Sequence, residues 1–313
     1  IKGASDEAII SALRTLGFEY GTQVHPVGFV VDNSADMPDS VFAEIKQQVH
    51  DLVAAHRGRA DEPPFYVLQW FDFNPSIPEP CVTPSATAFL NKLDTLARNT
   101  TSGPCLKAFI PAMFSAVDRC DAYATVWGFC GDNVEGCFDV NGQSGCYVSL
   151  GTIESIALYR HTRINVAIRY NCPSKKSQAI FDIANATGGN VFVIGPNATT
   201  NLTGLMDSDI SGNVVPLLSV SGTLATNTVK EYTVPIDSTV TNVTFVVSVE
   251  TNTAISFVTP SGADLTNAPC CPIWELMDGR VANVAQPELG NWHIQVEGSG
   301  HFSVNVNAPM CSS

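Results

Sequence analysis

Basic residues are scarce. Sixteen Lys and Arg stand against thirty Asp and Glu, a net charge of −14. A nucleic-acid or anionic-membrane partner would need a basic face, so neither is expected. Long hydrophobic runs are missing too, and without eighteen consecutive apolar residues no membrane span is expected. The sequence contains no Gly-x-Ser-x-Gly elbow, no His-Glu-x-x-His and no phosphate-cradling glycine loop. Its six histidines (25, 50, 56, 161, 293, 301) are scattered. His50 falls in a helical pattern and His293 in a strand pattern, where packing is the ordinary role. A non-enzymatic protein is expected.

Cysteine, by contrast, is abundant. Ten cysteines fall at 81, 105, 120, 130, 137, 146, 172, 270, 271 and 311, with no Cys-x-x-Cys pair and no zinc-like His spacing. An oxidising compartment and a disulfide-bonded protein account for them best. Five sequons agree: Asn99, Asn185, Asn197, Asn201 and Asn242 each begin Asn-x-Thr. The first residues, "IKGASDEA", lack the apolar stretch of a signal peptide, and a mature form is expected. Secretion and N-glycosylation follow as expectations.

Two periodicities divide the chain. Residues 6–16 place Ile9, Ile10, Leu13 and Leu16 on one helical face, so residues 1–23 read as a helical segment. "VGFVVD" reads as a buried strand, and "DSVFAEIKQQVHDLVAAH" as a helix with Phe42, Ile45, Val49 and Leu52 on its apolar face. Strand and helix patterns then alternate through "FYVLQWF", "ATAFLNKLDTLA", "LKAFIPAMFSAV", "ATVWGF", "IESIALYRH", "INVAIRY", "SKKSQAIFDIANA" and "NVFVIG". Pro111 is expected to kink or divide the third of these. Such alternation indicates an α/β doubly wound, mostly parallel sheet over residues 24–205. The stretch 130–146 reads as a polar surface excursion, and "NLTGLMDSDISGN" as a loop-like boundary. Beyond it, over 206–313, short strands such as "KEYTVPI", "NVTFVVSV", "AISFVTP", "WHIQV" and "FSVNV" predict an all-β antiparallel sandwich.

In open α/β sheets, sites collect at the carboxyl ends of the strands. "DNSAD", residues 32–36, lies at such an end, and Asp32-Asn33-Ser34-Ala35-Asp36 resembles the Asp-x-Ser-x-Ser metal-adhesion loop of von Willebrand factor type A domains. "FYVLQWFDFNP", "NTTSGPC", "ATVWGFCGD" and "INVAIRYNC" resemble later strands and loops of that domain as found in hemicentin-like extracellular proteins. "KEYTVPID", "ISFVTPSG", "VANVAQPELGNWHIQV" and "HFSVNVNA" resemble the β-sandwich that follows it there, with Pro287-x-x-Gly290-x-Trp292 as the clearest marker. The resemblance covers roughly residues 24–308. It implies a secreted extracellular-matrix or cell-adhesion glycoprotein that binds a protein ligand through the strand-end face. It also implies a Mg²⁺ or Ca²⁺ ion held by Asp32, Ser34, Asp36, Thr101 and Asp132. The family's second-loop ligand falls among Thr100, Thr101 and Ser102. Asp36 stands where the family has Ser or Thr, and Cys130-Gly131 intervenes before Asp132, so the implied site is degenerate.

The same residues have a plainer reading. Asp, Asn and Ser at a strand end cap the following helix and bond the loop backbone. "DVNGQSG", residues 139–145, is weakly calcium-loop-like and is expected to be an ordinary turn. Cys137 and Cys146 are close enough to close the excursion. The α/β topology puts Cys105 and Cys172 on one edge, where hemicentin-like domains also carry cysteines. Cys271 or Cys270 is expected to hold the tail through Cys311. Two other functions stay open: a structural subunit that self-associates through sandwich edges and cysteines, and a glycan ligand stacked on exposed aromatics.

Overall fold

The computed structural model describes residues 24–35, 37–72, 77–100, 108–131, 138–140, 143–145, 150–169, 178–194, 202–210, 214–265 and 273–309. The expected helical segment within 1–23 lies outside them. The first sheet contains β1 (Val27–Asp32), β2 (Tyr66–Phe71), β3 (Cys81–Thr83), β4 (Thr125–Cys130), β7 (Arg163–Arg169) and β8 (Val191–Ile194). Its order is β3-β2-β1-β4-β7-β8, parallel throughout except for β3, which runs antiparallel to β2.

Alternation along β1 shows how the sheet is covered. Phe29 and Val31 point into one apolar layer, with Phe42, Val49 and Leu52 of α1 (Asp39–His56) and Phe89 and Leu93 of α2 (Ala86–Thr95). Val30 points into the other, with Phe109 and Met113 of α3 (Phe109–Arg119), Ile153 of α4 (Leu150–Tyr159) and Ile180 of α5 (Gln178–Ala186). Strands buried on both faces account for the near-continuous apolar runs in the sequence. Ser85 starts α2 by accepting a hydrogen bond from Ala88 N at 3.2 Å. Pro111 neither kinks nor divides α3, because the described helix begins at Phe109. Pro111 therefore sits in the first turn, where a missing N–H costs nothing. Among the described residues no helix is long and apolar enough to cross a membrane.

One further expectation changes. The stretch expected as a loop after residue 200 contains a helix, α6 (Thr203–Ile210). Leu202 and Met206 are buried against the α1 layer, and Gln48 Oε1 of α1 accepts Leu202 N at 3.0 Å. Tertiary burial thus overrides a short, polar-looking pattern. The excursion holds a hairpin of β5 (Phe138–Val140) and β6 (Gln143–Gly145), and the residues between the two strands lie outside the described ones.

The antiparallel part is one five-stranded sheet, ordered β11-β12-β10-β13-β9. Its strands are β9 (Val214–Ile236), β10 (Asn242–Val258), β11 (Ile273–Leu276), β12 (Gly279–Ala285) and β13 (Gly290–Pro309). Segments expected as separate short strands are joined into long ones: β10 contains "NVTFVVSV" and "AISFV", and β13 contains "WHIQV" and "FSVNV". Straight extension would put Phe245 and Phe257 about 40 Å apart, yet their ring centroids lie 5.3 Å apart. The strands therefore double back, with register shifts at Val249/Thr251 and Asn252/Ala254 of β10 and at Gly298/Gly300 of β13. The two halves of the sheet face each other over a core of Phe245, Phe257, Trp292, Ile294 and Val304. The sandwich is one folded sheet.

The two sheets meet at β8. Met277 N donates to Val193 O at 3.1 Å, Ser248 Oγ donates to Val191 O, and Asn305 Nδ2 donates to Gly189 O at 3.1 Å. Val246, Leu276 and Val281 join the apolar layer that holds Phe192 and Met206. The exposed edge of β8 is thereby covered.

Cys81 and Cys120 are free thiols. Burial pushes the Cys120 thiol up to about 12 from the ordinary 9.0; Arg160 opposes the shift and Asp121 adds to it. Cys120 is expected to resist alkylation of the native protein at mildly alkaline pH and to react fully after denaturation, as read by peptide mapping. Because its folded value is the higher one, its contribution to stability is complete below pH 9 and declines as the pH rises toward 12.

Candidate functional site at the strand ends

Asp32 ends β1, the strand flanked by β2 and β4, so loops from three strands converge around it. Its carboxylate is completely buried. Oδ1 accepts Ser34 N and Oδ2 accepts Gly131 N, each at 2.9 Å. The second bond ties the loop after β1 to the loop after β4. A side chain at Gly131 would crowd it, since a Cβ there would lie 3.1 Å from Asp32 Oδ2 and 3.2 Å from Met37 Cε.

Asn33 ties the same loop to β2 and beyond. Its N–H donates to Phe71 O at 2.9 Å and its carbonyl accepts Asn99 N at 2.6 Å, while Nδ2 donates to Ala97 O at 3.2 Å. Asn99 Nδ2, the atom a glycan would occupy, donates to Asp72 Oδ2 at 2.8 Å. Arg98 latches the assembly from outside. It donates to Ala35 O at 2.6 Å and Met37 O at 3.0 Å, and pairs with Asp39 at 2.6 Å.

Ser34 is the exception in this satisfied network. It is fully buried, yet among the described residues its Oγ meets no hydrogen-bond partner, and neither does the buried Oδ1 of Asn33. An unmet buried hydroxyl costs about 1–3 kcal/mol, so a group that takes it up is favoured. A carboxylate beside a free hydroxyl is the oxygen-donor chemistry that a hard divalent cation accepts. These two residues fit the implied ion. Asp36, Thr101 and Asp132 lie outside the described residues. Among the described ones no cluster of three His, Cys, Asp or Glu is gathered for a metal.

The other expected residues are dispersed. Asn185 is half-buried, its Oδ1 accepting Ser219 Oγ at 3.4 Å, and Asn242 is half-buried at the start of β10. Asn197, Asn201 and the cysteines 105, 137, 146, 172, 271 and 311 lie outside the described residues. Trp292 is 1% exposed and donates from Nε1 to Glu288 O at 2.8 Å, so its ring belongs to the core. His56 is buried between Asp207 (2.8 Å from Nε2) and Asp61 (3.2 Å from Nδ1) and fastens α1 to α6. Sequence reasoning missed Asp72, Arg98 and Gly131. The strand-end rule that singled out Asp32 would have flagged Asp72, the residue after β2; no local signal marks Arg98.

The architecture therefore defines a class first: a doubly wound α/β unit, with its polar cluster at the carboxyl strand ends, followed by a folded antiparallel sheet. Residues 215–309, which take in nearly all of β9–β13, match the family model of the hemicentin galactose-binding domain-like family. The order found, a doubly wound α/β unit and then the region this family model matches, is the order expected from the sequence. Similar solved structures include a von Willebrand factor type A protein from Catenulispora acidiphila (13% identity, TM-score 0.40, 92% of this chain and 63% of that one). Others are the human COPII-coat protein Sec24c (11%, 0.42, 92% and 44%) and proximal thread matrix protein 1 from the mussel byssus (10%, 0.37, 64% and 50%). The chain spans less than two thirds of each of these three, and no functional argument rests on likenesses so distant. No curated protein matches the chain.

Proposed function

We propose that this chain is a secreted, non-enzymatic adhesion or binding protein whose type A-like unit takes a protein ligand at the strand-end face. The observation that carries the reading is the buried Asp32–Ser34 pair, a carboxylate held by two backbone N–H groups beside a hydroxyl that has no partner among the described residues. Asp32 and Ser34 would hold Mg²⁺ or Ca²⁺, with Asp36, Thr101 and Asp132 as the further ligands the resemblance implies. When bound, the ion would offer a coordination position to a ligand carboxylate. The protein's own part is to fix Asp32 through Ser34 N and Gly131 N and to hold the loop through Asn33 and Arg98. An acidic residue at 36 would lower the local charge, favouring the cation and weakening capture of an acidic ligand. The proposal keeps the sequons and the three cysteine pairs as modifications, and the division at about residue 205, which α6 spans.

Calorimetric titration of Mg²⁺ and Ca²⁺ into the glycosylated, metal-stripped protein tests this reading. Saturable binding at micromolar to low-millimolar concentration that Ser34→Ala weakens about tenfold or more is the expected result. Absence of both heat and any rise in melting temperature would overturn it and leave the loop as scaffold.

A further inference from the structure

A sheet edge carries unpaired N–H and C=O groups that recruit other strands, and folded proteins usually shorten, cover or charge their edges. Three of the four edges of the two large sheets obey this. β3 has 3 residues and β11 has 4, while β8 also has 4 and is covered by Met277 N and Ser248 Oγ. The fourth edge does not. β9 runs for 23 residues at the border of its sheet, paired with β13 on one side and with no strand on the other among the described residues. Residues 214–229, "VVPLLSVSGTLATNTV", contain no charged side chain, and no sequon lies anywhere in β9.

Within it, Leu218–Leu224 is regular. Leu218 to Leu224 pair with Val306 to Gly300 without a shift, whereas the ladder is irregular on either side of that stretch. Its sequence, "LSVSGTL", is close to a palindrome about Ser221. Set antiparallel to itself, it opposes Leu218 to Leu224, Ser219 to Thr223 and Val220 to Gly222. Opposed residues in an antiparallel pair share a face, so leucine meets leucine and hydroxyl meets hydroxyl. A two-fold interface demands this self-complementarity. A chain of net charge −14 would ordinarily repel its own copy, but this contact brings no charges together.

We infer that the β9 edge is a homodimer interface in which Leu218–Leu224 pairs antiparallel with the same segment of a second copy, centred on Ser221. The occupant is another copy of this chain. The interface is independent of the strand-end site and stands or falls without it.

Because Ser221 lies on the two-fold, it opposes itself. Ser221→Lys and Ser221→Glu each place like charges directly opposite one another, and an equimolar mixture places opposite charges there. The assay is sedimentation of the full chain across micromolar concentrations. Glycans are trimmed first, because Asn185 Oδ1 stands 3.4 Å from Ser219 Oγ. The expected result is a dimeric parent, two monomeric variants with parent-like melting temperatures, and a heterodimer on mixing. A parent that stays monomeric would overturn the inference, as would a dimer untouched by Ser221→Lys or variants that remain monomeric when mixed.

Discussion

Asp32→Ala is expected to lower stability by about 2–4 kcal/mol even in the presence of chelator, because two buried backbone donors, Ser34 N and Gly131 N, lose their acceptor. In the same variant the increment in melting temperature that Mg²⁺ or Ca²⁺ gives the parent should disappear. Ser34→Ala separates the two roles. It removes an oxygen without a hydrogen-bond partner among the described residues, so the cation-free protein should be no less stable than the parent, while most of the cation's increment is lost. Melting curves of the parent and both variants, each with chelator and with cation, give the four differences needed. An Asp32→Ala protein that melts like the parent in chelator would refute the account of the carboxylate as the tie between the loops. A Ser34→Ala protein that keeps the full cation increment would place the ion elsewhere.

The division of labour at this site explains how it was visible in the sequence and where it was not. Asp32 follows "VGFVV", and an apolar run ending in polar residues marks a strand end wherever helical patterns alternate with strands. Ser34 travels with it, two residues on. The partners that give these residues their meaning are distant in the chain: Gly131 lies 99 residues beyond Asp32, and Arg98 lies 63 beyond Ala35. Only the parallel order β2-β1-β4 brings those loops to one place. No periodicity encodes such a meeting.

The antiparallel class of the second part was legible, but its strand boundaries were not, for a different reason. Gly298 and Gly300 bracket "GSG", which in one dimension has the signature of a turn between strands. In the sheet they permit a bend within a single strand. A Cβ at Gly298 would strike Thr251 O, and one at Gly300 would strike the Glu250 carboxylate, while Gly300 itself takes φ +83°. Composition thus located the change of direction but could not say whether the ladder broke there. Helix α6 failed in the opposite sense. Its eight residues include two aspartates and a glycine, and burial of Leu202 and Met206 against α1 decides its conformation.

The marker Pro287-x-x-Gly290-x-Trp292 leads to the second large effect. Gly290 takes φ +127° with Pro260 Cβ only 3.0 Å from where its own Cβ would be, so the turn admits no side chain there. The chain then delivers Trp292 into the folded sheet, 5.2 Å from the ring of Phe245, which in turn lies 5.3 Å from Phe257 on the other half of β10. Trp292 therefore joins the two halves that the bends bring face to face. Trp292→Ala should cost about 3–5 kcal/mol, the range for emptying a large buried aromatic site. Trp292→Phe should cost less, about 1–2 kcal/mol, because the ring contact survives and only the Nε1–Glu288 O bond and some volume are lost. Denaturant unfolding followed by far-ultraviolet circular dichroism reads both. If the halves cohere through this ring, Trp292→Ala will also bring early hydrogen exchange in β9 and β13 together, at denaturant concentrations where β1 and β4 stay protected. Loss of protection spread evenly over both sheets would show instead that the contacts at β8 bind them into one cooperative unit, and that Trp292 stabilises the whole chain.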